Sequence, residues 1–61
     1  MIELKTPTGY IRIAKNSITA IVETGNVDIP TQIYVVGRNE PFDVINSYSY
    51  VCLRMINVDF L

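Results

Sequence analysis

Hydrophobic and charged residues alternate at the start of the chain, which is the pattern of a strand with one buried face. In residues 2–6 the isoleucine and leucine fall on one side, and the glutamate and lysine fall on the other. Residues 10–13 repeat the alternation, and the PTG segment at 7–9 between them favours a tight turn. Because successive side chains of a strand point to opposite faces, the two segments predict a β-hairpin.

Three later segments also predict strands. Residues 18–23 are rich in β-branched side chains, which favour strands, although their apolar positions also fit a turn of helix. Residues 31–36 give the clearest strand of the chain, with apolar residues on both of its faces. The GRNE segment at 37–40 predicts a turn, and residues 41–44 then return as the second strand of another hairpin.

The spacing of apolar residues changes after residue 45 to that of a helix. Residues 46–56 place apolar side chains at intervals of three and four, which is one face of an amphipathic helix. Asn46 or Ser47 can cap its first free N–H groups. The residues of this apolar face are Tyr48, Val51, Cys52, Met55 and Ile56.

The summed pattern predicts a single α+β domain over residues 1–61. It consists of a small antiparallel sheet of four to five strands, arranged as a meander, followed by one C-terminal helix packed on one face. The predicted core beneath the helix contains Ile2, Leu4, Ile11, Ile13, Ile33, Val35, Phe42 and Val44.

The apolar content of the chain exceeds what so small a body can bury. Of its 61 residues, 49% are hydrophobic, which is the share of a much larger globular protein. A domain of about 60 residues buries only about 60% of the surface that its unfolded chain exposes. The chain has one cysteine and no histidine, so neither an internal disulfide nor a zinc site of the usual ligands can stabilise it. We therefore expect the chain to associate with itself, as a homodimer or a higher oligomer.

The sheet face opposite the predicted core is the candidate contact surface. Tyrosine and arginine are residue types that anchor interfaces, and an antiparallel sheet with one solvated face is normally polar there. Isolated exposed residues of a monomer, and a strongly curled sheet that buries both faces, are the alternatives. The candidate interface residues are Tyr10, Ile21, Tyr34, Val36, Arg38 at the hairpin turn, and Phe60 and Leu61 of the apolar C-terminal segment.

The charge distribution argues against nucleic acid as a partner. The net charge is −1, and the five basic residues are spread singly along the sequence, whereas binding to a phosphate backbone requires clustered positive charge. No apolar run reaches the roughly 18 residues of a membrane span, so no membrane contact is expected. The first nine residues lack the pattern of a signal peptide, and the lone Cys52 fits a reducing compartment. We expect a cytoplasmic protein.

Candidate catalytic and cofactor-binding residues are lacking. General-base and nucleophilic catalysis usually need a histidine or a tuned pair of carboxylates, and here the acids do not occur as a close pair. Cys52 lies on the predicted buried face of the helix, where a cysteine is a small core residue. The sequence thus predicts no catalytic residue, no metal site and no cofactor, and an interaction protein in place of an enzyme.

The spacing of generic strand and turn residues resembles that of a family of small bacterial proteins, the short FlbD-type flagellar proteins. The matching positions are Ile2, Leu4, Gly9, Asn16, Ile18, Ile21, Thr31, Ile33, Gly37, Val44, Ser47 and Val51. That family has an acid directly after the second isoleucine, where this chain has Val22. The resemblance implies a sheet followed by a helix, and it transfers no catalytic residue. In its compactness the chain also resembles accessory proteins of phages and mobile elements.

Three hypotheses for the function follow. The first is a homo-oligomeric protein that binds and modulates another protein, for instance a phage-encoded inhibitor of host machinery. The second is an oligomer that sequesters a nucleotide-like molecule between protomers, with Arg12, Arg38 and tyrosines lining the pocket. The third is a structural subunit of a virion or a flagellar assembly.

Overall fold

The computed structural model describes residues 1–57 and confirms the predicted order of strands followed by one helix. Most strand boundaries lie within one residue of the predicted ones, and the helix begins two residues later than predicted. The elements of the described chain are β1 (Ile2–Thr6), β2 (Gly9–Ile13), a 3₁₀ turn (Lys15–Ser17), β3 (Ile18–Glu23), β4 (Thr31–Val35), β5 (Phe42–Val44) and α1 (Tyr48–Asn57).

In the β1–β2 hairpin, Leu4 lies opposite Ile11 and Lys5 lies opposite Tyr10. Side chains directly opposite each other in an antiparallel pair lie on the same face. One face of the hairpin is therefore apolar and turned to the core. The other face carries charged side chains together with Tyr10, which is exposed.

Residues 18–23 form a strand, and an irregularity in it decides which of its side chains face the core. The register of the β3–β4 ladder shifts between Ile18 and Ala20. Beyond the shift, Ile21 lies opposite Ile33 and packs against the core, as Ile18 does. The prediction that Ile21 shares the exposed face with Tyr34 is wrong, because a bulge of one residue reverses the alternation that follows it.

The strands of the described chain form two antiparallel sheets, β1–β2 and β3–β4–β5, where the sequence predicts one. The sheets meet at two hydrogen bonds. The N–H of Ile45 donates to the carbonyl of Lys5 at 2.8 Å, and the N–H of Lys5 donates to Oδ1 of Asn46 at 2.7 Å. Because a side-chain oxygen takes the second hydrogen bond, β1 and β5 do not continue as one backbone ladder. The predicted α+β class itself is confirmed.

One core lies between the inner faces of the two sheets and the helix. Half-buried residues, among them the predicted core residues Ile11, Val35 and Phe42, surround the fully buried ones. The buried apolar residues are Ile2, Leu4, Ile13, Ile33, Val44 and Val51. Of the eight predicted core residues, five are buried and the other three border a groove, which is described below.

Helix α1 begins where Ser47 caps it, since the N–H of Tyr50 donates to Oγ of Ser47 at 3.1 Å. The helix contacts β1 and β3 and buries Val51 completely. The predicted inner residues Tyr48 and Ile56 are exposed by 37% and 54%, so the buried stripe is narrower than predicted. Within residues 1–57 no helix is long and apolar enough to cross a membrane.

Candidate interaction surfaces

A groove separates β2 from the neighbouring ends of β4 and β5. It consists of two adjoining cavities of about 370 Å³ each, which share Ile11 and Phe42 as lining residues. The first cavity is lined by four consecutive residues of the β2 segment, 11–14, so it lies along the free edge of that strand. Across from this edge it is bounded by Ser17, Val35 and Val36. We call this feature the intersheet groove.

Two arginines lie at or beside the first cavity of the intersheet groove. Arg12 lines the cavity, and in the β1–β2 ladder it lies opposite Glu3. The guanidinium of Arg38 lies over the ring of Phe42, 4.1 Å from its centroid, and its Nε donates to the carbonyl of Glu40 at 2.9 Å. This stacking holds the second positive charge beside the apolar floor of the groove.

The loop between β3 and β4, residues 24–30, has its conformation fixed by its own side chains. Oδ1 of Asn26 accepts the N–H groups of Asp28 at 2.8 Å and Ile29 at 3.2 Å, and the N–H of Thr24 donates to the carbonyl of Pro30 at 3.0 Å. At the tip of this ordered loop, Val27 is exposed by 94%. An apolar side chain and the adjacent carboxylate of Asp28 are thus presented together to solvent.

The outer face of α1 is apolar as well. Tyr50, Leu53 and Ile56 are exposed by 42%, 55% and 54%, and their spacing of three residues places them on adjoining positions of the helix surface. A helix with apolar residues on opposite sides is normally buried on both of them. We call these three residues the outer helix stripe, and the charged residue nearest to it on the helix is Arg54.

The predicted interface residues do not form one continuous patch. Tyr10 is exposed on the outer face of β1–β2, whereas Tyr34 is half-buried on the outer face of the other sheet, because the chain forms two sheets. Val36 is exposed beside the groove, and Arg38 stacks over the groove's Phe42. Phe60 and Leu61 lie outside the described residues.

Of the two arginines that the nucleotide hypothesis places in a pocket, Arg12 lines the first cavity, and Arg38 stacks on Phe42, which lines both cavities. Tyrosines do not line either of its two cavities in the described part of the chain. The structure thus supports a positively charged groove, while the aromatic walls expected for a stacked base are provided only by Phe42.

Metal-ligating groups and perturbed pKa values bear on the chemistry of the described residues. Among residues 1–57, groups of three or more potential metal ligands do not occur. One perturbed side chain is Tyr48, whose pKa is raised above its ordinary value, mainly by a hydrogen bond with the Cys52 side chain and by the charge of its thiolate, with smaller effects of burial and of Glu23. The raised pKa keeps this phenol neutral at neutral pH.

Sequence reasoning missed two of these features. Val27 is a single apolar residue in a polar loop, and only its place beside Asp28 in a segment rich in turn residues could have marked it as a loop tip. Leu53 was not assigned to either helix face, although its position opposite Val51 and Met55 could have been read from the helical period. Both residues are exposed and apolar.

Comparisons with known proteins add no family to this description. No family model, no curated protein and no solved structure matches the chain.

Proposed function

We propose that this chain is a non-enzymatic protein-interaction domain that works as a homo-oligomer in a reducing compartment such as the cytoplasm. Its free thiol, Cys52, is half-buried on the helix and suits such a compartment. The proposed function has two parts, which are self-association and the binding of another protein.

The observation that carries the proposal is the outer helix stripe. Tyr50, Leu53 and Ile56 remain exposed although α1 already packs Val51 against the core. Covering apolar surface contributes about 25 cal/mol for each Å² removed from water, which offsets the entropy that association costs. A short helix with a second apolar face is therefore suited to contact another protein surface.

The chemistry of the helix indicates what the partner presents. Arg54 is the basic residue of the last helical turn and is exposed beside the stripe. A matching partner surface has an apolar patch that receives Leu53 and Tyr50, bordered by a carboxylate that faces Arg54. Large apolar and aromatic residues supply most of the binding energy at such contacts, whereas the charged border sets orientation and association rate.

Affinity capture with a matched pair of variants tests this proposal. The wild-type chain, Leu53→Glu and the control Glu3→Gln, which changes an exposed residue of β1, are immobilised and exposed to lysate of the native host. We expect a protein captured by the wild type and the control to be lost with Leu53→Glu, while circular dichroism shows all three folded. Identical captured proteins for all three variants would contradict a role of the stripe.

A further inference from the structure

We infer that two copies of this chain associate by placing the loop 24–30 of each copy in the intersheet groove of the other. The inference rests on the proposed self-association and names the surfaces that carry it. Both surfaces lie within the described residues, and neither belongs to the outer helix stripe.

The apolar parts of the two surfaces fit each other. Val27 is the most exposed of the large hydrophobic side chains in residues 1–57, at 94%. The floor of the groove is formed by the half-buried side chains of Ile11, Val35 and Phe42. Insertion of the valine removes both apolar surfaces from water, which is the main favourable term in protein association.

The charges of the two surfaces are complementary. The carboxylate of Asp28 is exposed directly beside Val27. The first cavity of the groove is lined by Arg12, and Arg38 lies next to it over Phe42. The acids near this groove include Asp43, which lines the second cavity and accepts a hydrogen bond from Nε2 of Gln32 at 3.0 Å, and Glu3, which lies opposite Arg12 in the β1–β2 ladder. Because neither acid lines the first cavity, which Arg12 and Arg38 adjoin, an incoming carboxylate is favoured there.

The loop cannot occupy the groove of its own chain. It joins the end of β3 to the start of β4, whereas the first cavity of the groove, which Arg12 lines, is bounded by Ser17 and Val35 at the opposite end of the same hairpin. The six residues of β3 separate the two sites by about 20 Å at roughly 3.3 Å per residue. Two hairpins that lie side by side in opposite directions bring each loop to the other's groove, and this arrangement is a closed two-fold dimer.

The two-fold arrangement lowers the area that each contact has to bury. Specific interfaces bury at least about 1,200 Å² in total. Because a two-fold dimer contains the loop–groove contact twice, each contact has to bury only about 600 Å² over its two sides. The hydrogen bonds of Asn26 and Thr24 order the loop in the isolated chain, so little conformational freedom is lost on docking.

Charge reversal at the two partners tests the inference. Asp28→Lys and Arg12→Glu each place like charges at both contacts of a homodimer, so the dissociation constant measured by sedimentation velocity should rise about 100-fold for each variant. An equimolar mixture of the two should associate again, because Lys faces Glu at one contact and Asp faces Arg at the other. Lys5→Glu, at an exposed position of β1 that lines neither cavity, makes the same change of charge as Arg12→Glu and should leave self-association unchanged.

The outcomes separate this inference from the function on which it rests. Single variants that associate like the wild type, or a mixture that stays monomeric, would overturn the loop–groove contact while self-association stands. A wild-type chain that is monomeric would overturn both. A thermal shift with adenosine triphosphate serves as a further check. No stabilisation is expected, and a rise in Tm that is lost in Arg12→Glu would assign the groove to a small anion and overturn the inference.

Discussion

Thr31 is a polar residue with a fully buried side chain, and its hydroxyl connects two parts of the fold. Oγ1 of Thr31 donates to the carbonyl of Asn46 at 2.8 Å, while Oδ1 of Asn46 accepts the N–H of Lys5. Asn46, which lies just before α1, thus accepts hydrogen bonds from a residue of each sheet. When a buried acceptor loses its donor, the protein loses more folding free energy than the net contribution of the hydrogen bond.

The substitution Thr31→Val keeps the side-chain shape and removes this donor. We expect it to lower the free energy of unfolding by about 1–2 kcal/mol, since the carbonyl of Asn46 loses its donor at a partly buried position. The same substitution at Thr19, whose hydroxyl donates to Tyr34 at an exposed site, should cost less than about 0.5 kcal/mol, because water replaces it. Urea denaturation at equal protein concentration measures both. Equal losses of unfolding free energy in the two variants would show that burial of Thr31 does not raise the cost of removing its hydrogen bond.

At the scale of elements, the sequence predicted the strands and the helix well, because their periods of two and of three to four residues are local. The face of Ile21 was predicted wrongly, since a bulge depends on the partner strand and has no clear signal in residues 18–23. The division into two sheets depends on hydrogen bonds between distant segments, such as that of Ile45 with Lys5. Alternation alone cannot indicate such pairings.

Within α1, the contact between Tyr48 and Cys52 predicts a pH dependence. The raised pKa of Tyr48 means that the fold favours the neutral phenol. This stabilisation is complete below the ordinary pKa of tyrosine, about 10, and is lost as the pH rises through the folded value.

In the variant Cys52→Ala, the pKa of Tyr48 should fall toward its ordinary value, because the thiol that mainly raises it is gone. Ultraviolet absorbance of tyrosinate during an alkaline titration measures this. A Tyr48→Phe variant identifies the transition of this residue among the four tyrosines. A Tyr48 transition that is unchanged in Cys52→Ala would show that the thiol is not the cause.

At the scale of the whole molecule, the mismatch between apolar content and volume is visible in the exposed residues. Six buried apolar residues form the core. Other apolar side chains among residues 1–57 are each more than half exposed, including Val27, Val36 and Leu53. Composition predicted that some apolar surface would need another chain. It does not indicate which surface, because the intersheet groove and the loop tip, for which we propose this contact, come from the folded arrangement of distant segments.

Sedimentation equilibrium of the wild-type chain at high micromolar concentration tests the central claim most directly. Self-association predicts a mass of twice the 6.9 kDa of one chain, or a higher multiple. The mass should shift toward that of one chain on dilution, since association depends on protomer concentration. A folded chain that sediments with a mass of 6.9 kDa at every concentration would contradict the account.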